Sequence, residues 1–72
     1  MKLEEKYLKQ NIDRLDIPVS EINILKEKGI KTLGNLCEYT KTNLKDFGIL
    51  SNNINKIQVE LQLLGLNLKG GI

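Results

Sequence analysis

The stretch LKDFGILSNNINKIQVELQLLGLNL, residues 44–68, decides the fold of this protein. Its apolar side chains recur at steps of three, four and three, a spacing typical of one face of a helix. These side chains are Ile54, Ile57, Leu61 and Leu64. The pattern predicts a long core helix over residues 52–64, preceded by a tight turn at residues 47–49.

Both ends of this helix carry boundary signals. Ser51 or Asn52 can cap its start, because a side-chain oxygen at that position accepts a hydrogen bond from a free backbone N–H. Gly65 stands where a residue in the left-handed conformation ends a helix. Leu66 is placed to pack back on the last turn, as in a Schellman motif. Since no other segment is as long or as well bounded, we expect this helix to be the centre of the core.

The sequence before residue 30 predicts a lead-in segment and one further helix. A short polar helical turn over residues 2–11, with Leu3, Tyr7 and Leu8 on one side, is followed by apolar anchors at residues 12–17. Pro18 suits the first turn of a helix because its φ is already fixed, and Gly29 ends that helix. We expect the apolar residues Val19, Ile22 and Leu25 to face inward and the charged residues Glu21, Lys26, Glu27 and Lys28 to face water.

Two more short helices are predicted between residues 30 and 47. Thr32 and Thr40 are each placed to cap a helix start. The side chains expected inward are Ile30, Leu33, Leu36, Cys37, Leu44 and Phe47. The Gly-Ile pairs at residues 29–30 and 48–49 are either ordinary tight turns or, with a following helix N-terminus, a place to hold a phosphate. Residues 67–72 lack a pattern beyond Leu68 and are expected to fray.

Composition limits the classes of function. Seventy-two residues make one small domain, and a net charge of +2 permits contact with nucleic acid through a local basic patch without requiring it. The absence of histidine excludes Cys-His and Ser-His-Asp catalytic sites, and the single cysteine, Cys37, allows no internal disulfide. We expect no cofactor, no metal, no leader peptide and no membrane segment, and a cytoplasmic location as the default.

Five short motifs follow one another in the order and spacing of a known family. They are IDRLDI at 12–17, NILK at 23–26, GIKTLGNL at 29–36, Thr40 with Leu44, and LQLLGLNL at 61–68. Together they resemble the C-terminal domain of the bacterial RNA polymerase alpha subunit. The resemblance implies an all-α fold, a compact bundle of four short helices plus an N-terminal lead-in turn, with helix-hairpin-helix (SAM-like) architecture. It divides the sequence into an N-terminal extension or linker end (1–11), the domain (12–68) and a frayed tail (69–72).

The resemblance also implies a function in transcription. The family's domain is non-catalytic and joined by a flexible linker to the rest of RNA polymerase. It contacts A·T-rich promoter DNA through the minor groove and nearby phosphates, and it also contacts regulators or sigma. We expect the domain itself to be monomeric. The positions that correspond to the family's DNA-contacting face are Ser20, Asn23, Gly48, Leu50, Ser51, Asn52, Asn53 and Lys56.

Several of these positions depart from the family pattern. The family's main DNA-contacting arginine falls on Ser20, whose hydroxyl cannot bring a positive charge into a narrow minor groove. A contacting glycine becomes Leu50, a lysine becomes Asn52, a serine becomes Asn53, and an acidic residue becomes Lys56. We therefore expect weakened or altered DNA contacts. The alternative is a protein–protein docking module on the same fold with little DNA affinity. An exposed Leu50 would mark a partner surface, but we expect it to be buried.

Overall fold

The computed structural model of the protein describes residues 3–70, and the side chains of residues 6–70. Its elements in sequence order are α1 (Leu3–Leu8), a 3₁₀ turn (Ile12–Arg14), α2 (Val19–Glu27), α3 (Leu33–Leu36), α4 (Lys41–Asp46) and α5 (Ser51–Leu63). Within the described residues there is no strand, only an isolated antiparallel bridge between Asn11 and Thr32. The predicted all-α fold, with four α-helices after a lead-in turn, is confirmed.

The core is built from aliphatic side chains of every segment from the 3₁₀ turn onward. Helix α5 contributes Ile54, Ile57 and Leu61, each at most 4% exposed, so the predicted apolar face is confirmed. Leu64, just past the end of α5, is half-buried and packs against the same core. Burying one such side chain stabilises a fold by about 1.5–3 kcal/mol. Helix α5 therefore supplies a continuous apolar face to the core, and α4 packs beside it.

The helix ends predicted at Gly29 and Gly65 are confirmed, and the Schellman motif expected at Gly65 recurs at Gly29 and at the Gly48 turn. Gly29 and Gly65 follow α2 and α5 with φ of 82° and 79°, and Gly48 follows α4 with φ of 103°. In each case the next residue is a buried Ile or Leu. Its N–H bonds to the carbonyl five residues earlier, at 2.8–3.1 Å. These turns close the helices within two residues, which brings successive helices side by side.

Both predicted threonine caps are also confirmed. The Thr40 side chain accepts a hydrogen bond from the Asn43 N–H, and the Asn43 side chain accepts one from the Thr40 N–H, both at 3.0 Å. Thr32 and Asn35 form the same reciprocal capping box at the start of α3. Because α3 and α4 have only four and six residues, they cannot form alone. The caps satisfy backbone groups that such short helices cannot pair internally.

The inward face predicted for α2 is wrong at two positions. Val19 is 72% exposed, because it is the first residue of α2 and extends beyond the buried Ile22. Glu21, predicted to face water, is only 6% exposed. The inward side predicted for the first segment is tested at two of its three positions. Tyr7 and Leu8 are half-buried against the core, whereas the side chain of Leu3 lies outside the described residues.

The C-terminal segment contacts the bundle as far as Lys69, although the sequence predicted fraying from residue 67. Leu68 is 2% exposed, and the Lys69 N–H donates to the Tyr39 carbonyl at 3.0 Å. The prediction of fraying from residue 67 missed these contacts because their partners lie far away in the sequence. Residues 71 and 72 are outside the described part. The division into extension, domain and tail stays a prediction.

Candidate nucleic-acid interface

A buried carboxylate joins the first turn of α2 to the start of α5. One oxygen of Glu21 accepts the Leu50 backbone N–H at 2.9 Å, and the other accepts the Asn53 side-chain amide at 2.6 Å. Hydrogen bonds to an ionised acceptor are shorter and stronger than neutral ones. Since Glu21 follows Ser20 and Asn53 follows Asn52, these bonds bring the two halves of the predicted contact face together.

The sequence contained one signal for this role of Glu21. The residue is third in α2, where a glutamate commonly reaches back to the backbone N–H of the N-cap residue. Here the N-cap is Pro18, which has no N–H. The carboxylate therefore lacks its usual local partner and is free to bond to another segment. The sequence cannot indicate which segment that is, because the partners lie 29 and 32 residues away.

The start of α5 differs from the predicted one. The N-cap residue is Leu50, not Ser51 or Asn52, and it makes no side-chain cap. Ile49 must be buried to close the preceding glycine turn, so only one residue separates that turn from the helix. The expected capping by Ser51 or Asn52 is therefore wrong. The Glu21 carboxylate bonds to this helix start from α2 instead.

The predicted site residues fall into two groups by exposure. Seven of them are exposed to solvent: Ser20, Asn23, Gly48, Leu50, Ser51, Asn52 and Lys56. Asn53 is only 4% exposed, and its side-chain amide donates a hydrogen bond to Glu21. Its side chain therefore helps to hold α5 against α2. Leu50 is 62% exposed, and the expectation that it would be buried is wrong. We call the seven exposed residues the polar rim, with Leu50 as its apolar member.

The lysines near the Gly-Ile turns differ in the contacts that their ammonium groups make. The Lys28 ammonium lies 5.2 Å from the centre of the Phe47 ring, beside the Gly48 turn. This cation–π contact holds a positive charge near the rim. Lys26 forms an ion pair with Asp13 at 2.8 Å, with both side chains largely exposed. Lys28 is thus better placed than Lys26 to add positive charge to the face.

The outer face of α5 forms an open groove that the sequence did not indicate. The groove has a volume of about 370 Å³ and is lined by Asp16, Asn52, Asn55, Lys56, Val59, Glu60 and Leu63. Val59 and Leu63 are 55% and 80% exposed. They recur at a step of four on the side of the helix away from the core. Exposed aliphatic side chains next to the polar rim give this face a mixed character.

A second groove lies between α4 and α5. It has a volume of about 160 Å³ and is lined by Lys41, Thr42, Lys45, Ser51, Ile54 and Asn55. The two lysines are one helical turn apart on α4, so they lie on the same face of that helix. Among the lysines, the sequence pointed only to Lys56 on α5 as a contact residue. It gave no sign of this pair, because the pairing of α4 with α5 brings the pair next to Ser51.

The remaining chemically reactive side chain in the described part of the protein is the free cysteine. Cys37 is half-buried, and burial raises the pKa of its thiol more than the hydrogen bond from the Asn67 backbone lowers it. This favours the unreactive thiol over the thiolate. Residues 3–70 contain no cluster of three metal-binding side chains, and none of their helices is long and apolar enough to span a bilayer.

These features define an all-α helix-hairpin-helix domain in which a buried carboxylate links two helix starts that carry exposed polar residues. A family model for the C-terminal domain of the alpha subunit of bacterial RNA polymerase matches residues 1–63 of the 72 residues. The protein belongs to this family. The resemblance read from the five motifs is therefore confirmed, and with it the assignment to transcription. The family's domain is associated with RNA polymerase and is not itself the catalytic part.

Proposed function

We propose that this protein is a DNA-binding and regulator-docking domain of a bacterial RNA polymerase alpha subunit, with altered contacts to DNA. It contacts upstream A·T-rich promoter DNA through the minor groove and adjacent phosphates. It acts in the cytoplasm as a monomeric unit tethered to the rest of the polymerase by a linker. Regulators or sigma are its protein partners, and it needs no cofactor.

The observation that carries this proposal is the junction made by Glu21. Its bonds to Leu50 and Asn53 fix the first turn of α2 against the start of α5. The exposed polar residues before and after these positions then share one side of the molecule. The first N–H groups of α5 have no intrahelical partner and are suited to a phosphate oxygen. Lys56 and Lys28 add positive charge at the edge of this face.

The same face explains why the DNA contacts are altered. Ser20 is exposed on it but carries no charge, so the contribution of an arginine in the minor groove is missing. Asn53 is buried and bonded, so its amide is not free for DNA. Binding then depends mainly on backbone phosphates, which do not carry sequence information directly. We expect modest affinity and a weak preference for A·T-rich sequence.

The test is a titration of the protein with A·T-rich and G·C-rich duplexes of equal length at several salt concentrations. Binding that weakens steeply with salt supports the proposal, because each phosphate contact contributes a log–log slope of about −0.9. Amide shifts should be concentrated at residues 20–23 and 48–56. No binding to either duplex at about 50 mM salt would contradict it.

A gain-of-function variant tests the register of α2. Ser20→Arg restores a cation at an exposed position of the first turn. We expect tighter binding to A-tract DNA, whose narrow minor groove attracts guanidinium groups. Gln62→Arg is the matched control, with the same charge change at an exposed position of α5 that lies outside the polar rim and lines neither groove. Unchanged affinity in Ser20→Arg would mean that this position does not face the groove.

One observation favours the alternative, a protein-docking module with little DNA affinity. Leu50 is 62% exposed at the start of α5, in the middle of the face proposed for DNA. An exposed leucine there suits a protein partner better than a phosphate backbone. Under this alternative, neither the wild-type protein nor Leu50→Ser binds duplex appreciably, and Leu50→Ser weakens binding of a regulator or sigma. Under the DNA-binding proposal, Leu50→Ser leaves the salt slope intact and does not reduce DNA affinity.

A further inference from the structure

We propose that the groove between α4 and α5, with Lys41, Lys45 and Ser51, binds a backbone phosphate of DNA. This inference rests on the proposed DNA-binding function and adds to it a contact that the resemblance does not supply. The residues on α4 lie outside the face that the family resemblance indicated. The groove therefore extends the contact surface from the polar rim toward α4.

The first argument is the composition of the groove. Its volume of about 160 Å³ is lined by two lysines, by the polar residues Thr42, Ser51 and Asn55, and by Ile54. No carboxylate is among these lining residues. Two ammonium groups one turn apart, with hydroxyl and amide groups opposite, make a donor-rich surface. A phosphate oxygen accepts hydrogen bonds and carries the complementary charge.

The second argument is the orientation of the two helices. Ser51 is the first residue of α5, so the positive end of that helix dipole adjoins the groove. Lys41 is the first residue of α4, where the helix dipole disfavours a cation unless an anion pairs with it. Neither helix has an acidic residue in its first turn. Asp46 lies at the opposite end of α4 and does not line the groove, so the first turns of the two helices leave the positive potential there uncompensated.

The third argument concerns the nearest buried anion. The Glu21 carboxylate bonds to the start of α5, but it comes from α2 and does not line this groove. Both of its oxygens already accept hydrogen bonds, from Leu50 and Asn53. Glu21 therefore offers no acceptor to the groove. Lys41 and Lys45 are exposed and form no ion pair within the described residues, so both ammonium groups are available to an anion from outside the protein.

The experiment compares the wild-type protein with Lys41→Gln, Lys45→Gln and the double variant. Each binds a fluorescein-labelled A·T-rich duplex, followed by anisotropy over a salt series. We expect each single change to lower the salt slope by about one and to weaken binding about tenfold at about 50 mM salt. Lys9→Gln is the matched control, since Lys9 is exposed after α1 and does not line the groove. Lys45→Arg should retain the slope.

The outcomes separate this inference from the proposed function. If the wild-type protein binds duplex and the lysine variants bind with the same slope as Lys9→Gln, the groove assignment is overturned and the proposed function stands. If the wild-type protein does not bind duplex, both fail. Amide shifts at Ser51 and Asn55 on adding inorganic phosphate, without any effect of the variants on duplex binding, would show a small-anion site and overturn the DNA assignment. If the lysine variants lose binding to an acidic peptide but keep their binding to duplex, the DNA assignment of the groove is also overturned.

Discussion

Replacing Glu21 by alanine should destabilise the fold far more than the loss of a surface glutamate. The carboxylate is 6% exposed and accepts two hydrogen bonds from the start of α5. Removing it leaves the Leu50 N–H to solvent and the Asn53 amide, at 4% exposure, without its partner. A buried donor without a partner carries the full cost of its lost hydration.

The magnitude follows from these contacts. Hydrogen bonds to charged groups contribute about 1.5–3 kcal/mol each, and relief of the desolvation of Glu21 offsets part of that loss. We expect a net loss of about 2–4 kcal/mol in the free energy of unfolding. A protein of this length has a total of about 4–11 kcal/mol. The melting temperature should therefore fall by about 10–25 °C.

The assay is urea and thermal unfolding followed by far-ultraviolet circular dichroism, with Glu27→Ala as the control. Glu27 is exposed at the end of the same helix, and its loss should change stability by less than about 0.5 kcal/mol. Glu21→Gln should lie between the two, because its oxygen still accepts the Leu50 N–H and its amide can donate to a turned Asn53 side chain. Equal midpoints for Glu21→Ala and Glu27→Ala would refute the reasoning.

Three further predictions concern the rest of the bundle. Gly34→Ala places a Cβ 2.9 Å from the Leu8 backbone oxygen. This overpacking costs about 1–3 kcal/mol, whereas the better helix propensity of alanine gains about 1 kcal/mol. Hydrogen exchange in α1 should therefore become faster. Unchanged exchange would contradict the contact between Gly34 and Leu8. Thr40→Ala should lose about 1 kcal/mol in urea unfolding, whereas the exposed Thr42→Ala should not. Burial raises the pKa of the Cys37 thiol. The contribution of the buried thiol to stability is therefore complete at pH values below the thiol pKa of the unfolded protein, and it is lost as the pH rises through the thiol pKa of the folded protein. Iodoacetamide should therefore modify the folded protein more slowly than a free thiol at pH about 8, and equal rates would exclude this.

The helix boundaries could be predicted because their causes are local. The glycine endings at Gly29 and Gly65 and the caps at Thr32 and Thr40 each involve residues within five positions of one another. At these four positions the conformational preference of one residue agrees with the packing around it, so the local signal is sufficient. The apolar period of α5 is also local. Together these signals determined the order and type of the helices.

The start of α5 could not be placed from sequence, because the capping preferences of Ser51 and Asn52 compete there with the burial of Ile49. Ser51 and Asn52 are both good N-cap residues, but Ile49 and Leu50 precede them in a turn that has room for only one buried side chain. Burial of Ile49 at 2% exposure leaves Leu50 at the N-cap position with its side chain toward solvent. Burial of Ile49 therefore outweighs the capping preference of Ser51, and the N-cap lies one residue earlier, at Leu50. That single shift exposes the leucine and makes Asn53 the third residue of the helix.

The shift at Leu50 and the burial of Glu21 are consequences of each other. With Leu50 as N-cap, its backbone N–H needs an acceptor, and the third residue of α5, Asn53, does not supply one because its side-chain amide donates to Glu21. Glu21 can supply that acceptor only because the N-cap of its own helix is Pro18, which has no N–H to bind it. Two positions that look unfavourable in isolation therefore satisfy each other across α2 and α5. Substituting Pro18 by serine should weaken this junction, because it would give the carboxylate a local N–H partner that competes with Leu50. Faster hydrogen exchange at the Leu50 amide would report that competition, and unchanged exchange would contradict it.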